Sequence, residues 1–416
     1  MGMTTIEKIL ARTSGQAQAR PGEIVVCRPD MVMQLDVILA VDGWWYRPKR
    51  VFDPDRIALI FDHAVPAPTV KDASGMAEGR EFAKQFALKH FFDVGQHGIC
   101  HVIAAEHGLA RPGELLVCSD SHTCAAGALN CAGRGTGPID VLQAITMGKV
   151  WYPVSPTIRY EFTGALARRV SGKDVFFHIA NEYGDHTNIS VEFGGAGLAA
   201  LPMTERRTIA TMCAEISAEF AIFDFDEITA EYLQDRVQDP LTPVNPDPDA
   251  EYLDRRVIDL GGIEPCVILP HSVPHNARRF QELKEKIRID QAFIGSCANG
   301  KIEDLRIAAE IVKGRKVAPG VRFIVTPGSQ SVFLQAVKEG LVETLVEAGA
   351  VVTNSTCGAC MGYHMGVLAP REVCITASTR NFRGRMGSPE AEIYMGSPAT
   401  VAASALAGVI TDPRTV

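Results

Sequence analysis

The last third of the chain alternates apolar, strand-like runs with helix-like segments. Strands separated by helices of about a dozen residues normally pair in parallel through βαβ crossovers. In a parallel sheet the residues that follow each strand meet at one edge, which is where α/β proteins bind ligands. The predicted elements are strand 290–295, helix 302–313, strand 321–325, helix 330–338 and strand 350–353.

Three cysteines follow two of these strands. Cys297 comes after the first strand, and Cys357 and Cys360 come after the third. Two thiolates separated by two residues can bind one metal centre, and Gly358 and Gly362 give the loop the backbone freedom to turn amides toward sulfur. Core thiols are the alternative, but a glycine-rich loop is a poor place to bury them. The sequence therefore predicts a three-thiolate metal centre.

The residues alone leave the metal open. A structural zinc site normally has four protein ligands, and His364 is available as the fourth. An iron–sulfur cubane bound by three cysteines instead keeps one iron open as a Lewis acid. Arg380 and Arg385 lie further along the chain and suit recognition of a carboxylate. This pairing of thiolates with arginines favours the cluster over zinc.

Polar side chains also follow two predicted strands in the first third of the chain. Asp62 and His63 come directly after the apolar run 56–61. Asp120, next to Ser121 and His122, follows the run 113–118 and is itself followed by a glycine-rich segment. Acidic, hydroxyl and imidazole groups at strand ends predict an acid/base and hydrogen-bonding cluster. A serine nucleophile is disfavoured because no Gly-x-Ser-x-Gly elbow is present.

Two further polar residues are ambiguous in the sequence. His101 lies in the apolar run 98–103, which we interpret as a strand, and a lone histidine there is more often a core residue than a catalyst. Glu215 lies near the border of the apolar face of a predicted helix at 205–220. A carboxylate in that position is either solvated or directed into a site.

Composition restricts the class of protein. A chain of 416 residues is expected to form two or three domains. Its formal net charge of −8 argues against a nucleic-acid-binding or membrane-binding surface, which needs a basic excess. No window approaches the roughly 18 apolar residues of a membrane span, and no signal peptide is recognisable, so a cytoplasmic location is expected. The 11 cysteines are too dispersed for a disulfide framework.

The remaining pattern indicates more α/β structure. The predicted domains are 1–160 with the acid/base motifs, 161–278 as a second α/β unit, and 279–416 with the cysteines and arginines. Predicted helices are 6–13, 80–90 and 173–182; predicted strands are 22–27, a half-exposed 158–162, and 189–193; and 239–249 is predicted to be an exposed loop because it contains four prolines.

Six motifs together resemble the aconitase superfamily, in particular the large subunits of 3-isopropylmalate dehydratase and homoaconitase. They occur in the family's order, at about its spacing, and span nearly the whole chain. The resemblance implies an α/β fold with three domains around a central cluster-binding cleft and without the family's swivel domain. The motifs are Asp62-His63, Gly98-Ile99-Cys100-His101, Asp120-Ser121-His122-Thr123, Gly295-Ser296-Cys297, Cys357-Gly358-Ala359-Cys360 and Arg380-Asn381-Phe382-Arg383-Gly384-Arg385.

The resemblance also implies roles for individual residues. It implies a 4Fe-4S cluster bound by Cys297, Cys357 and Cys360. The catalytic residues would form three histidine–carboxylate pairs, which are His63 with Asp62, His101 with Asp120, and His122 with Glu215. The substrate-binding residues would be Ser121, Thr379, Arg380 and Arg385.

The implied function is that of an iron–sulfur hydro-lyase. It would dehydrate and rehydrate a small 2- or 3-hydroxy-dicarboxylic acid, with 3-isopropylmalate/2-isopropylmalate as the first expectation, and it would need a separate small swivel-domain subunit that carries the catalytic serine. Ala298, Thr211 and Thr379 depart from the family's usual residues, so a paralogue acting on dimethylmalate, citramalate or a homoaconitase-type substrate is the alternative. A zinc-stabilised scaffold or an iron-sensing RNA binder is the non-enzymatic alternative.

Overall fold

The computed structural model describes residues 2–416 and confirms the α/β class. The strands are β1 Ile24–Cys27, β2 Met31–Leu35, β3 Ile57–Ile60, β4 His90–Phe92, β5 Leu115–Cys118, β6 Ala132–Gly135, β7 Val150–Pro153, β8 Thr157–Thr163, β9 Ser190–Gly194, β10 Ala221–Phe223, β11 Asp254–Asp259, β12 Cys266–Ile268, β13 Ala277–Arg279, β14 Gln291–Ile294, β15 Arg322–Val325, β16 Val351–Val352, β17 Val373–Thr376 and β18 Glu392–Met395. The helices are α1 Thr5–Ser14, α2 Asp36–Leu39, α3 Val70–Phe86, α4 Cys100–Glu106, α5 Pro138–Met147, α6 Gly172–Tyr183, α7 Met203–Met212, α8 Glu227–Gln234, α9 Ser296–Asn299, α10 Ile302–Val312, α11 Gln330–Lys338, α12 Leu341–Ala348 and α13 Pro398–Ala407.

The chain forms two compact units. Unit 1 contains the chain up to Gly95, Cys100–Ala165 and His186–Leu260, and unit 2 contains Gln96–Ile99, Leu166–Asp185 and Gly261–Val416. The division into three domains, at 1–160, 161–278 and 279–416, stays a prediction.

A five-stranded parallel sheet organises the first part of unit 1. Its strand order is β4-β3-β2-β5-β6, so the order reverses between β2 and β5. The carboxyl ends of strands on either side of such a reversal are the usual ligand-binding position in an open α/β sheet. Strands β3, β2 and β5 are neighbours at this reversal, so the loops that follow them lie at the usual ligand-binding position.

Unit 1 has a second parallel sheet, in the order β10-β9-β8-β11. The half-exposed strand predicted at 158–162 is β8, and the prediction of half exposure was wrong because most of this strand is buried. Alternating polar and apolar residues predict one exposed face, but here the polar residue Arg159 is buried and forms an ion pair with Glu161 at 2.8 Å. Strands β1 and β7 form a separate antiparallel ribbon.

Unit 2 is built on a seven-stranded sheet in the order β13-β12-β18-β17-β14-β15-β16. The strands from β18 to β16 are parallel, as the sequence predicted for β14, β15 and β16. Helices α10 and α11 match the predicted helices closely, whereas β17, β18, α12 and α13 were not predicted. The order reverses between β14 and β17, so the loops after these two strands occupy the ligand-binding position of this sheet.

Three local predictions were wrong. The run 98–103 is not a strand, because helix α4 begins at Cys100. The helix predicted at 80–90 starts earlier, at Val70, and ends at Phe86, so that His90 begins β4. The helix predicted at 205–220 ends at Met212 and continues as a 3₁₀ turn, Cys213–Ile216.

Candidate active site and cysteine loops

Asp62, which follows β3, contacts both His63 and Cys100 within unit 1. Its Oδ1 pairs with Nδ1 of the neighbouring His63. Its Oδ2 accepts the backbone N–H of Cys100 at 3.0 Å, and this contact satisfies a buried N–H at the start of α4 that has no acceptor within the helix. Asp62 is fully buried. A single carboxylate thus orients one imidazole and fixes the start of the helix whose second residue is His101.

Asp120 lies at the centre of three histidines. Its Oδ1 is 2.9 Å from Nε2 of His101 and 3.3 Å from Nδ1 of His122, and its Oδ2 is 3.6 Å from Nε2 of His63. The same Oδ1 accepts the backbone N–H of His122 at 2.7 Å. The sequence motifs predicted His101 as the only histidine partner of Asp120. The structure brings all three predicted histidines to this one carboxylate.

The third predicted pair is also in contact. Nε2 of His122 lies 2.9 Å from Oε1 of Glu215. Glu215 is on the 3₁₀ turn after α7, and its side chain is only 10% exposed, so it is directed inward rather than solvated. His122 is near the start of a 3₁₀ segment, Ser121–Leu129, which packs against α7.

Neighbouring charged groups determine the protonation states of His63 and Asp120. Burial alone would lower the pKa of His63, but the carboxylates of Asp62, Asp120 and Asp36 raise this pKa to about 10. Burial would raise the pKa of Asp120, yet its hydrogen bonds to His101 and His122 hold it well below its usual range. At neutral pH His63 is therefore an imidazolium and Asp120 a carboxylate.

Asp36 is a site residue that the sequence reasoning missed. It lies directly after β2 and is 2% exposed. Its Oδ1 accepts the backbone N–H of His63 at 3.1 Å, and its Oδ2 accepts that of Ala64 at 2.8 Å. Burial raises the pKa of Asp36, and the charge of Asp62 adds to this effect. The sequence contains a signal for this residue, because an acidic side chain directly follows the apolar run of β2, the strand between β3 and β5.

Ser121 is exposed and borders a small open cavity of about 210 Å³ in unit 1. Arg134 and Glu219, which form an ion pair, also line this cavity. An exposed hydroxyl next to a cavity can contact a ligand oxygen, which is compatible with the predicted role of Ser121.

The three predicted cysteine ligands are buried in unit 2 at the ends of parallel strands. Cys297 is in the short helix α9 after β14, and Cys357 and Cys360 are in the loop after β16. Left-handed residues shape these loops, among them Ser296 with φ 73°, Gly358 with φ 59° and Gly362 with φ 67°. The left-handed conformation is rare for a residue other than glycine, so Ser296 shows how tightly the backbone before Cys297 is constrained.

Zinc and an iron–sulfur cluster would use these thiolates differently. Three thiolates on one zinc ion need a fourth protein ligand, and His364, four residues after Cys360, is available for it. A multi-iron cluster instead uses each thiolate to bind a different iron.

Buried hydroxyl groups in the same loops can donate hydrogen bonds to the sulfide atoms of an iron–sulfur cluster. The hydroxyls of Ser355 and Ser378 are buried and have no hydrogen-bond partner among residues 2–416. These serines lie two residues before Cys357 and one residue before Thr379. Because unsatisfied buried hydroxyls are costly and iron–sulfur sulfurs accept hydrogen bonds, these loops suit a cluster.

The predicted substrate-binding residues of unit 2 follow β17. Nη2 of Arg385 is 3.6 Å from Sγ of Cys360, and Oγ1 of Thr379 is 3.9 Å from the same sulfur. Arg380 and Arg385 are half-buried. The arginine motif and the second cysteine loop therefore meet within this unit.

The sequence pattern of the aconitase family (aconitate hydratase) matches residues 55–408. The chain belongs to the aconitase family. Membership makes it a hydro-lyase, as the sequence predicted, and implies an iron–sulfur cluster. The buried cysteines and the unpartnered hydroxyls are compatible with that group.

Relatives in the aconitase family match the chain end to end. It is 55% identical over 416 residues to the 3-isopropylmalate dehydratase large subunit of Mycolicibacterium smegmatis, covering 100% of this chain and 98% of that protein. The large subunits of the same enzyme from Moorella thermoacetica and Thermoanaerobacter pseudethanolicus are 42% and 43% identical over 421 residues, with 100% of each chain covered.

A solved structure supports the aconitase-type fold. Aconitase X from Thermococcus kodakaraensis, in its holo form, superimposes with a TM-score of 0.51, covers 88% of both chains and is 12% identical in sequence. This likeness concerns the fold alone. Across residues 2–416 of this family member, none of the helices has the length and apolar run required to cross a membrane.

Proposed function

We propose that this chain is the large subunit of a 4Fe-4S-dependent dehydratase that interconverts 3-isopropylmalate and 2-isopropylmalate. The observation that carries the proposal is the 55% identity, over the full length, to a protein named as the large subunit of that enzyme. The hydrogen-bonded histidine–carboxylate network of unit 1 and the buried cysteine loops of unit 2 add independent chemical support.

The acid/base chemistry is assigned to unit 1. We assign His63 as the proton donor to the leaving hydroxyl, because the surrounding carboxylates keep its imidazole protonated. Asp62 fixes the ring through Nδ1. Asp120 holds His101 and His122, and Glu215 holds the other nitrogen of His122, so the orientations of both rings are fixed by their carboxylate partners.

Cluster and substrate binding are assigned to unit 2, with a contribution from Ser121. Cys297, Cys357 and Cys360 would hold the cluster, whose open iron supplies Lewis acidity toward the substrate's hydroxyl and a carboxylate. Arg380 and Arg385 bind substrate carboxylate, since guanidinium groups form paired hydrogen bonds with it. Thr379 contributes a hydroxyl next to them. Ser121 offers its exposed hydroxyl to a substrate oxygen.

A partner subunit completes the proposal. The relatives' designation as large subunits implies a small one. We propose that it is a swivel-domain protein whose serine removes the carbon-bound proton, and that the present chain alone does not turn over substrate. We further propose a cytoplasmic location.

A different alkyl-malate is the second candidate substrate. Thr211 stands where the family usually has an asparagine, and its hydroxyl donates to the carbonyl of Arg207 at 2.6 Å. It is therefore directed to its own helix. Ala298, next to Cys297, has no side-chain donor. These two changes are the observations that support a dimethylmalate, citramalate or homoaconitase-type substrate as the second candidate.

The test is anaerobic reconstitution with iron and sulfide, followed by assay with and without the small subunit of the Mycolicibacterium smegmatis dehydratase. Formation of the unsaturated acid is measured for isopropylmalate, dimethylmalate, citramalate and homocitrate. We expect a brown protein, turnover only with the small subunit, and the highest kcat/KM on isopropylmalate. Cys360→Ser is expected to lose iron and activity, with Cys27→Ser, a buried core thiol of unit 1, as the matched control.

Three results would contradict parts of the proposal. A colourless zinc protein would refute the cluster. Full turnover by the chain alone would refute the need for the partner. A preference for another alkyl-malate would move the assignment to the second candidate.

A further inference from the structure

Lys173 is a fully buried lysine on α6, in unit 2. Its Nζ donates to the carbonyl of Ala377 at 2.8 Å and to that of Ser378 at 2.7 Å. These two carbonyls follow β17 and directly precede Thr379 and Arg380. The lysine thus ties α6 to the start of the loop that carries the proposed substrate-binding residues.

The groups around Lys173 affect the free-energy cost of burying its charge. An ammonium removed from water costs several kcal/mol unless negative charge lies close to it. Burial lowers the pKa of Lys173 to about 7, whereas the charges of Cys297 and Cys360, which belong to two different loops, act in the opposite direction and favour the ammonium form. Thiolates at both positions would supply the compensating charge.

A second buried lysine is arranged differently. Lys301 donates to the carbonyl of Ala298, one residue after Cys297, and lies 3.1 Å from Oδ2 of Asp304. Its charge is therefore already offset by a carboxylate. Lys173 donates to two carbonyls instead, and it interacts electrostatically with both cysteine loops as well as with Lys301 and Asp304.

We propose that Lys173 is a positioning residue for the iron–sulfur cluster, whose ammonium offsets the negative charge of the ligated thiolates while it fixes the loop after β17. The inference rests on the proposed function, since it requires Cys297 and Cys360 to be cluster ligands. It adds that the charge balance of the cluster is set by a side chain that binds no iron.

Two consequences follow from charge balance. Removing a nearby cation makes addition of an electron to the cluster less favourable, so the midpoint potential shifts to lower values. It also leaves the thiolate charge uncompensated, so the cluster is released more readily. A purely structural role in packing α6 would move neither quantity once the protein is folded.

The experiment uses the full chain, reconstituted anaerobically, as wild type, Lys173→Gln, Lys173→Met, Lys173→Arg and the exposed-lysine control Lys338→Met. The Gln variant keeps an N–H donor and loses the charge, whereas the Arg variant keeps the charge. Iron content, the EPR spectrum, the midpoint potential and the rate of cluster loss in air are measured. Thermal unfolding of each apoprotein reports on folding separately.

We expect Lys173→Gln and Lys173→Met to lose the cluster about 10-fold faster, the usual size of an effect just outside the metal ligands, and to have a lower midpoint potential. Lys173→Arg and Lys338→Met should stay close to wild type in potential. Wild-type potential and retention in the Gln variant would overturn the inference. If Gln and Met variants fail to fold, an Arg variant that folds but has a shifted potential and rapid cluster loss would also overturn it. A wild-type chain that takes up no cluster would instead refute the proposed function.

Discussion

Nε2 of His101 lies 2.9 Å from Oδ1 of Asp120, although the first residue belongs to α4 and the second follows β5. The same carboxylate is also the neighbour of His63 and His122. One half-buried negative charge therefore orders three imidazoles.

Replacing this carboxylate by an amide is the most direct test of the network. Asp120→Asn keeps the side-chain size but removes the charge that orients three rings, so we expect kcat to fall by about 10²–10⁴-fold in the reconstituted two-subunit enzyme. Steady-state kinetics over a range of pH measures the effect. Asp239→Asn, in the exposed loop of the same unit, is the control. A change of less than twofold in kcat for Asp120→Asn would show that the network is not catalytic.

His63 should make stability depend on pH. Its folded-state pKa of about 10 lies above the ordinary value of 6.5, so protonation favours the folded state. This contribution is fully present below pH 6.5 and is lost as the pH rises toward 10. Denaturant unfolding at a series of pH values should therefore show a steeper fall in the free energy of unfolding for wild type than for His63→Gln. Parallel curves for the two proteins would contradict the raised pKa.

Asp36 is predicted to hold the His63 loop. Asp36→Asn turns one acceptor oxygen into an N–H₂ group that faces a backbone N–H, so one of two buried hydrogen bonds is lost and a donor is left unsatisfied. We expect the free energy of unfolding to fall by about 2–4 kcal/mol. Chemical denaturation measures it, and Asp42→Asn, whose side chain is fully exposed, should change stability by less than about 0.5 kcal/mol. Equal stabilities of the two variants would show that Asp36 does not fix this loop.

Gly127 tests the packing of the segment that carries His122. A Cβ atom at this position would lie 1.6 Å from the carbonyl oxygen of Ala221, which is backbone of β10 and cannot easily move. Gly127→Ala is expected to cost about 3 kcal/mol, at the upper end of the usual range for overpacking. Gly314→Ala is the control, because its φ of 70° is strained for alanine but no atom lies within 4 Å, so about 1 kcal/mol is expected. A smaller loss at Gly127 than at Gly314 would mean that the backbone relaxes.

The amino-acid sequence was sufficient for the organisation of the last third of the chain. The alternation of strands and helices predicted parallel pairing, and the parallel strands β14, β15 and β16 confirm it. This worked because a buried parallel strand is a short apolar run, and the helix between two such strands has its own apolar spacing, so both are local signals.

Other features were decided by contacts between distant residues. The run 98–103 has the composition of a strand, but its last four residues begin helix α4, whose first N–H is accepted by Asp62, 38 positions earlier. A short apolar run fits either structure, and only a tertiary contact selects one. Glu215 is a similar case, since nothing local shows that the chain turns after Met212 and directs this carboxylate to His122.

The sequence by itself determined the types of group in the site and the three histidine–carboxylate pairs, through the motifs it shares with the aconitase superfamily. Only the tertiary structure decided that Asp120 contacts all three histidines, that Asp36 holds the loop of His63, and that Lys173 is buried against the loop after β17. The physical reason is the order of strands in each sheet. Crossover connections set which strand ends become neighbours, and that order depends on packing of the whole unit rather than on any local run of residues.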